Sequence, residues 1–417
     1  MAGIGIRNRV EPMGQTGLAV DQLARLHAFY RDHLLCDILP FWENRTQDSE
    51  YGGYLTCFDQ YGNQTDTTKY IWFQGRQLWM FSALCNHIQP QDSWRRLALC
   101  GRDFIVSHAY IGDGRWRYQL DRQGNPQRGS ISIFTDLFVL QGLCEYAQAC
   151  DSDQDLALIR QTYDTAEENI YNPNFKDIFH ATWSPRFKRH GIYMIALNAA
   201  QLAEPVLGPE RTRPLIDHCL DQILNVFAKD EHEALFESVG HDGSFVDCDE
   251  GRVLNPGHAL ESMWFCIEEG RRRQDRSVIE RAVRIAQWMY DRGHDREHGG
   301  IVSFLDASGQ LPRQMDWHKE TGMSWHDKSW WVHSESLYAL ALCAVETQSM
   351  DLWAAFIHLH QWCKQQFHDA EYGEWYAELY RDGRPKVTDK GTVWKAAFHL
   401  PRALMKLMQL FKTTSAV

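Results

Sequence analysis

The stretch Asn255-Pro256-Gly257-His258-Ala259-Leu260-Glu261-Ser262-Met263-Trp264-Phe265 decides how the rest of the chain is read. Asn-Pro-Gly is turn chemistry that hands over to a helix. On that helix His258, Glu261 and Ser262 stand at i, i+3 and i+4 and share a face. The other positions, out to Ile267, are apolar nearly all round, which marks an interior helix. Polar groups on an interior helix need a wet cavity or a bonded partner. A satisfied core histidine beside an ion-paired glutamate is the plain alternative, and from this stretch alone it is the commoner outcome.

Outward from this stretch, helical periodicity dominates. It predicts twelve helices, over 20–40, 67–87, 93–108, 133–150, 153–171, 191–207, 211–226, 257–272, 275–292, 329–346, 350–367 and 393–412. Between them lie Gly-plus-aromatic segments, each followed by a turn of the D-x-x-G kind: Tyr51-Gly52-Gly53-Tyr54 before Asp59 to Gly62, Gly114 to Tyr118 before Asp121 to Gly124, His298-Gly299-Gly300 before Asp306 to Gly309, and Tyr372 to Tyr376 before Arg381 to Gly383. Such segments close hairpins; Ser244 to Asp247 is a shorter version. A helix pair plus a hairpin, recurring at roughly 55–75 residues, is an internal repeat. Alternate helices are unusually apolar and carry isolated polar groups: Arg76, Asp136, His258 with Glu261, Glu335, and His399. An inner ring would aim them at one central space. The expected fold is all-α, an (α/α)6 barrel (a six-hairpin toroid) with short β-hairpins at one rim. Residues 18–417 form one domain in this reading, after a disordered lead-in at 1–17.

The chain has 417 residues, 44% of them hydrophobic, and a net charge of -12. The length affords a large core. The negative charge argues against a nucleic-acid or anionic-membrane partner, and no apolar run approaches the ~18 residues a membrane helix needs. The N-terminus lacks the apolar core of a signal peptide. Eleven cysteines, an odd number, are scattered without a CxxC pair. They read as buried free thiols of a reducing, cytoplasmic compartment. Sixteen tryptophans suit sugar rings, although tryptophan also fills helical cores.

Three further segments carry chemistry. In Lys69-Tyr70-Ile71-Trp72-Phe73-Gln74-Gly75-Arg76-Gln77-Leu78-Trp79, a guanidinium flanked by Trp72 and Trp79 needs an anion, a sugar oxygen or a carboxylate. In Trp330-Trp331-Val332-His333-Ser334-Glu335-Ser336-Leu337-Tyr338, Trp331, Glu335 and Tyr338 share a face; His333 points elsewhere and reads as structural. For Glu335 the plain alternative is a buried salt bridge to Arg76 or Arg252. In Trp394-Lys395-Ala396-Ala397-Phe398-His399-Leu400-Pro401-Arg402, Pro401 suits a first helical turn. His399 therefore sits near a helix N-terminus, as His258 does, and the two would meet at one mouth of the barrel. Two imidazoles on opposite walls suit inversion beside a carbonyl. One removes the carbon-bound proton, leaving an enediolate, and the other returns a proton to the opposite face. Arg76 is the candidate to hold the oxyanion, and Glu335 or Glu261 can orient a histidine or bind hydroxyls. This chemistry requires no metal, and no HExxH spacing, phosphate loop or GxSxG elbow is present.

At these residues the sequence resembles the N-acylglucosamine 2-epimerase family. The match is carried by Tyr51-Gly52-Gly53-Tyr54, Tyr70-Ile71-Trp72-Phe73-Gln74-Gly75-Arg76-Gln77, Ser132-Ile133-Phe134-Thr135-Asp136, Asn255-Pro256-Gly257-His258-Ala259-Leu260-Glu261, Trp330-Trp331-Val332-His333-Ser334-Glu335 and Phe398-His399-Leu400-Pro401-Arg402-Ala403, in that order and spacing. The resemblance implies an (α/α)6 barrel and reversible C2 epimerisation of an open-chain aldose, N-acetyl-D-glucosamine to N-acetyl-D-mannosamine in the branch closest in wording. It implies Arg76, His258, Glu335 and His399 as the essential set, Glu261, Trp330, Trp331 and Trp394 as the lining of the sugar site, and a homodimer. No cofactor is required. ATP enters only as an allosteric activator of relatives acting on N-acetylglucosamine, through a Gly/Lys/Arg-rich loop; the segment here, Asn172 to Arg186, departs from that pattern and leaves ATP dependence open. Relatives acting on cellobiose or mannose have a further histidine on the third inner helix, where this chain has Tyr193-Met194-Ile195, so the ring-opening acid is unassigned. The rival readings are an epimerase or aldose–ketose isomerase for a non-acylated sugar or a disaccharide, a glycoside hydrolase, and a non-catalytic sugar-binding barrel.

Overall fold

In the computed structural model the described residues are 20–172, 174–175, 177, 187–309 and 324–415. The lead-in at 1–17 and most of 172–186 lie outside them. Among the described residues twelve long helices run in order: α1 (Val20–His33), α2 (Ile71–His87), α3 (Asp92–Phe104), α4 (Ile133–Cys150), α5 (Leu156–Tyr171), α6 (His190–Leu207), α7 (Pro209–Asp221), α8 (Pro256–Arg273), α9 (Arg276–Gly293), α10 (Trp330–Thr347), α11 (Met350–Gln366) and α12 (His399–Ser415).

They form two concentric layers. The even-numbered helices pack side to side as an inner ring, and each of α3, α5, α7, α9 and α11 lies outside the inner helix that precedes it, while α1 covers α12. Phe398 closes the ring by packing on Trp79 of α2 and Phe138 of α4. The architecture is the expected (α/α)6 barrel. The sequence explains which helix goes where. Inner α4 is buried without a break from Ile133 to Tyr146. Outer α9 buries Ile279, Ala282, Val283, Ala286 and Tyr290, the one-sided stripe of a surface helix. The tightest inner contact, α2 against α4, is made at glycines. A Cβ added to Gly75 would stand 2.6 Å from the Phe138 carbonyl oxygen, and one on Gly142 2.6 Å from the Gly75 oxygen.

Short turns join inner to outer helices at one end of the barrel, and the described parts of the long connections lie at the other. There the strands Lys69–Tyr70, Phe187–Arg189, Val253–Leu254 and Lys328–Ser329 lead directly into α2, α6, α8 and α10. The small sheets are thus gathered at the rim where the inner helices begin. Their pairing is less local than the hairpin pattern suggested, since Lys69–Tyr70 pairs with Gln119–Leu120 and Lys328–Ser329 with Glu378–Leu379, bridging successive repeats. A buried ion pair recurs at this rim. Lys69, Lys328 and Lys390, each 0% exposed, donate to Asp48, Asp295 and Asp369, and each aspartate also accepts from the backbone of its Gly-bearing turn.

Several expectations need correction. The segment at 244–247 forms no hairpin. The helix expected over 67–87 starts at Ile71 because 69–70 is a strand, and that expected over 393–412 starts at His399. Outer helices at 34–38, 105–109 and 222–227 loosen into π turns. Asp136 does not face the central space; it accepts from Arg115 Nε at 2.6 Å and from the Trp116 amide at 2.9 Å. The eleven cysteines are free thiols, but Cys36 is exposed, and Cys100, Cys150 and Cys248 are only half-buried. No helix among the described residues is long and apolar enough to cross a membrane.

Candidate active site

Because the inner helices start at the rim, their N-termini surround the mouth of a central cavity of about 290 Å3. Unpaired N–H groups and aligned peptide dipoles make such a mouth favourable to negative charge. Asn255 caps α8, its side chain accepting from the His258 amide at 3.0 Å, which fixes His258 in the first turn. His399 opens α12, with Pro401 in the same turn. Both rings line the cavity, and both lean on one indole: Trp331 lies 5.2 Å from His258 and 5.7 Å from His399, centroid to centroid.

Each imidazole has its Nδ1 engaged by a carboxylate. His258 Nδ1 lies 3.0 and 3.1 Å from the carboxylate oxygens of Glu237, and His399 Nδ1 lies 2.8 Å from Glu335. A Nδ1–H donated to a carboxylate leaves Nε2 as the proton-exchanging atom. The two environments differ. Burial works to lower the His258 pKa, but the charge and hydrogen bond of Glu237, with Glu261, outweigh it and raise it. Burial lowers His399 well below the usual histidine range; Glu261 opposes, while Arg76, Arg402 and His258 add to the effect.

Behind His399 lies a closed ionic network. Arg402 NH2 donates to Glu261 and, at 2.7 Å, to Glu335, and Trp264 Nε1 donates to the second Glu335 oxygen at 2.9 Å. Glu335 is 0% exposed and does not reach the cavity. The seven other expected residues, His258, His399, Arg76, Glu261, Trp330, Trp331 and Trp394, all line it. Glu335 thus bonds Arg402, not Arg76 or Arg252; Arg252 is held by Asp306 and Asp247. Arg76 forms no ion pair among the described residues. Its guanidinium lies 3.9 Å over Phe138 and 5.0 Å from Phe398, with Trp72 at 5.7 Å, whereas Trp79 packs elsewhere. Burial pulls its pKa down to about 9, Glu261 opposing and Arg402 adding, so it remains a cation at neutral pH. Trp394 stands 44% exposed at the mouth, edge-on to Trp72.

His333, 0% exposed, serves the fold: Nδ1 donates to the Ser329 carbonyl and Nε2 accepts from the Ile301 amide. Three residues of the site were not anticipated. Glu237 sits in a short buried run with nothing to separate it from an ordinary rim residue. Arg402 is one turn from His399, so the spacing was in view. His190, whose Nε2 pairs with Ser262 Oγ at 2.9 Å, opens α6 one residue before the expected start. His190, Glu237 and His258 offer metal-ligand atoms within 4.8 Å of one another, as do Glu261, Glu335 and His399. In the second set the Arg402 guanidinium already supplies the positive charge, and in the first Glu237 is already engaged by His258.

A family model described as N-acylglucosamine 2-epimerase (GlcNAc 2-epimerase) matches residues 53–403. The chain belongs to the N-acylglucosamine 2-epimerase family. The Bos taurus N-acylglucosamine 2-epimerase is 30% identical, over 88% of this chain and 87% of its own length. The cellobiose 2-epimerase of Dictyoglomus turgidum is 23% identical over 91% and 97%. The solved structure of a Bacillus thermoamylovorans cellobiose 2-epimerase superimposes with a TM-score of 0.79, at 19% identity over 93% of this chain and 99% of that one. Membership of the epimerase family makes this chain an enzyme of the carbohydrate epimerase and isomerase type.

Proposed function

We propose that the enzyme inverts C2 of an open-chain aldose between His258 and His399, with N-acetyl-D-glucosamine and N-acetyl-D-mannosamine as the pair it interconverts. The observation that carries this reading is the placement of two imidazoles, each with Nδ1 held by a carboxylate, against one indole, Trp331, in one cavity. In the forward sense the neutral Nε2 of one ring takes the C2 proton. The C2–H electrons form the C1–C2 double bond, and the carbonyl pair moves onto O1. Arg76, unpaired and charged, stabilises that oxyanion. The other ring, protonated at Nε2, delivers its proton to the opposite face of C2, and the carbonyl re-forms. The histidines have then exchanged protonation states, which the reverse reaction restores. The raised His258 and lowered His399 suit the resting assignment of acid and base respectively. Glu335 acts through His399 as a positioning residue, and no cofactor enters.

Incubation of N-acetylated and free aldoses in deuterated water tests the reading. It expects one solvent deuteron at C2 of the epimeric product. Product without it would overturn the two-base mechanism. A ketose product would instead assign an aldose–ketose isomerase, and turnover of free sugars or disaccharides alone would reassign the substrate.

A further inference from the structure

One corner of the cavity wall holds polar atoms that the two-histidine chemistry does not use. Ser329 and Glu378 are direct partners on antiparallel strands. Such partners project to the same face, and both line the cavity, whereas the neighbouring Lys328 is spent on Asp295. Ser329 is the N-cap residue of α10, yet its side chain caps nothing. An N-cap serine ordinarily accepts from a first-turn amide; this hydroxyl is buried without a hydrogen-bond partner. The next residue, Trp330, is 4% exposed and its Nε1–H is likewise without a partner. The Glu378 carboxylate accepts no hydrogen bond among the described residues. Lys386 Nζ stands 4.0 Å away and is committed to Asp327 at 2.5 Å. Two orphaned donors and an unbonded carboxyl in one corner are costly unless a ligand completes them.

We propose that Ser329, Trp330 and Glu378 form a recognition subsite for a neutral group of the sugar that both donates and accepts a hydrogen bond. The carboxylate accepts a hydrogen bond from the ligand, and the indole N–H and serine hydroxyl donate hydrogen bonds to its oxygen. Two parts of a sugar have this chemistry, a ring or chain hydroxyl and an N-acyl amide. A charged ligand group is disfavoured. A cation would meet the two donors, and an anion would have to lie against the Glu378 carboxylate. The identity of the ligand as a sugar rests on the proposed epimerase reading.

The test uses Glu378→Leu, Glu378→Gln and the milder Ser329→Ala in the full-length protein, with thermal melts to establish folding. For the accepted sugar, Glu378→Leu raises KM about 10- to 100-fold, the loss expected for a hydrogen bond to a carboxyl group, with kcat changed much less. Glu378→Gln recovers part of the affinity. Discrimination between the sugar and the analogue lacking the recognised group collapses in Glu378→Leu: collapse between N-acetylated and free sugars names the amide, and collapse among deoxy analogues names a hydroxyl. Unchanged KM and unchanged discrimination in both Glu378 variants, or loss of kcat at constant KM, overturns the subsite. The same substitutions on a His258→Asn background, titrated with the same sugars by tryptophan fluorescence, separate the two claims. If no sugar exchanges its C2 hydrogen, the epimerase reading fails; if sugars bind but Glu378→Leu does not weaken them, the subsite fails.

Discussion

Nδ1 of His258 lies within 3.1 Å of both carboxylate oxygens of Glu237. That contact, with Glu261 helping, reverses the downward pull of burial and raises the pKa of the ring. Glu237→Gln keeps the shape and removes the charge, so the His258 pKa falls. If His258 serves as the acid, its protonated form disappears at a lower pH. The alkaline limb of the kcat/KM profile therefore moves toward lower pH, by about one unit or more. The acid limb, governed by the lowered His399, stays below the ordinary histidine range in both proteins. A pH–rate profile of the two proteins checks this. A limb that does not move would make Glu237 a scaffold residue.

The two histidines have different surroundings, and if both act at one carbon, as proposed, isotope exchange exposes the difference. In His399→Asn the remaining imidazole, His258, can still remove the C2 proton of one epimer and return a solvent deuteron to the same face. In His258→Asn the reverse holds. Both variants lose epimerisation by about three orders of magnitude or more, yet each washes deuterium into one epimer and not the other. Proton NMR of each pure epimer in deuterated water, followed in both variants, reads this directly. Washout of both epimers by a single variant would point to one base serving both faces.

Much of this arrangement was readable from residue spacing. The i, i+3, i+4 face of His258, Glu261 and Ser262 on an apolar background called for a wet cavity or bonded partners inside the barrel, and Pro401 fixed where His399 stands in its helix. The ring itself followed from the alternation of helices apolar all round with helices apolar on one side. What escaped was long-range pairing. Glu237 meets His258 because a rim strand brings position 237 beside the start of α8, and no local pattern encodes that meeting. The Lys–Asp pairs of the rim escaped for the same reason: Lys69 and Asp48 belong to one repeat but lie 21 residues apart. Glu335 was placed on the correct face but one layer too shallow, because periodicity gives direction around a helix and not depth. At that depth Arg402 supplies the positive partner that Glu335 needs.

The contact of α2 with α4 tests the fold apart from the chemistry. Gly75 lies one residue from Arg76, and a methyl group there would stand 2.6 Å from the Phe138 carbonyl. Backbone cannot yield as a side-chain tip does, so the helices must part. Gly75→Ala costs about 1–3 kcal/mol of stability, the usual range for overpacking, even though alanine is the better helix former. The guanidinium of Arg76 would also shift from its 3.9 Å seat over Phe138, so kcat should fall along with the urea midpoint. Gly129, where an added Cβ meets nothing within 4 Å, is the control and should tolerate alanine.

Arg402 ties stability to catalysis in one side chain. It is 2% exposed and answers two carboxylates, Glu261 and Glu335, that are themselves buried. Arg402→Met leaves both acids without a cation in a dry setting. Breaking such a pair from one side costs about 3–5 kcal/mol. The deficit is electrostatic in origin, because two buried carboxylates face each other with the shared guanidinium gone. His399 changes in the opposite sense to the Glu237 experiment: Arg402 helps to hold its pKa down, so its removal raises that pKa and moves the acid limb of kcat/KM toward neutrality. Arg402→Lys restores the charge without the planar fork and should recover stability at neutral pH better than it recovers kcat. Urea unfolding at neutral pH, beside the pH–rate profile, separates the two effects. A lysine variant no more stable than the methionine variant would show that Arg402 acts through packing and not through its charge.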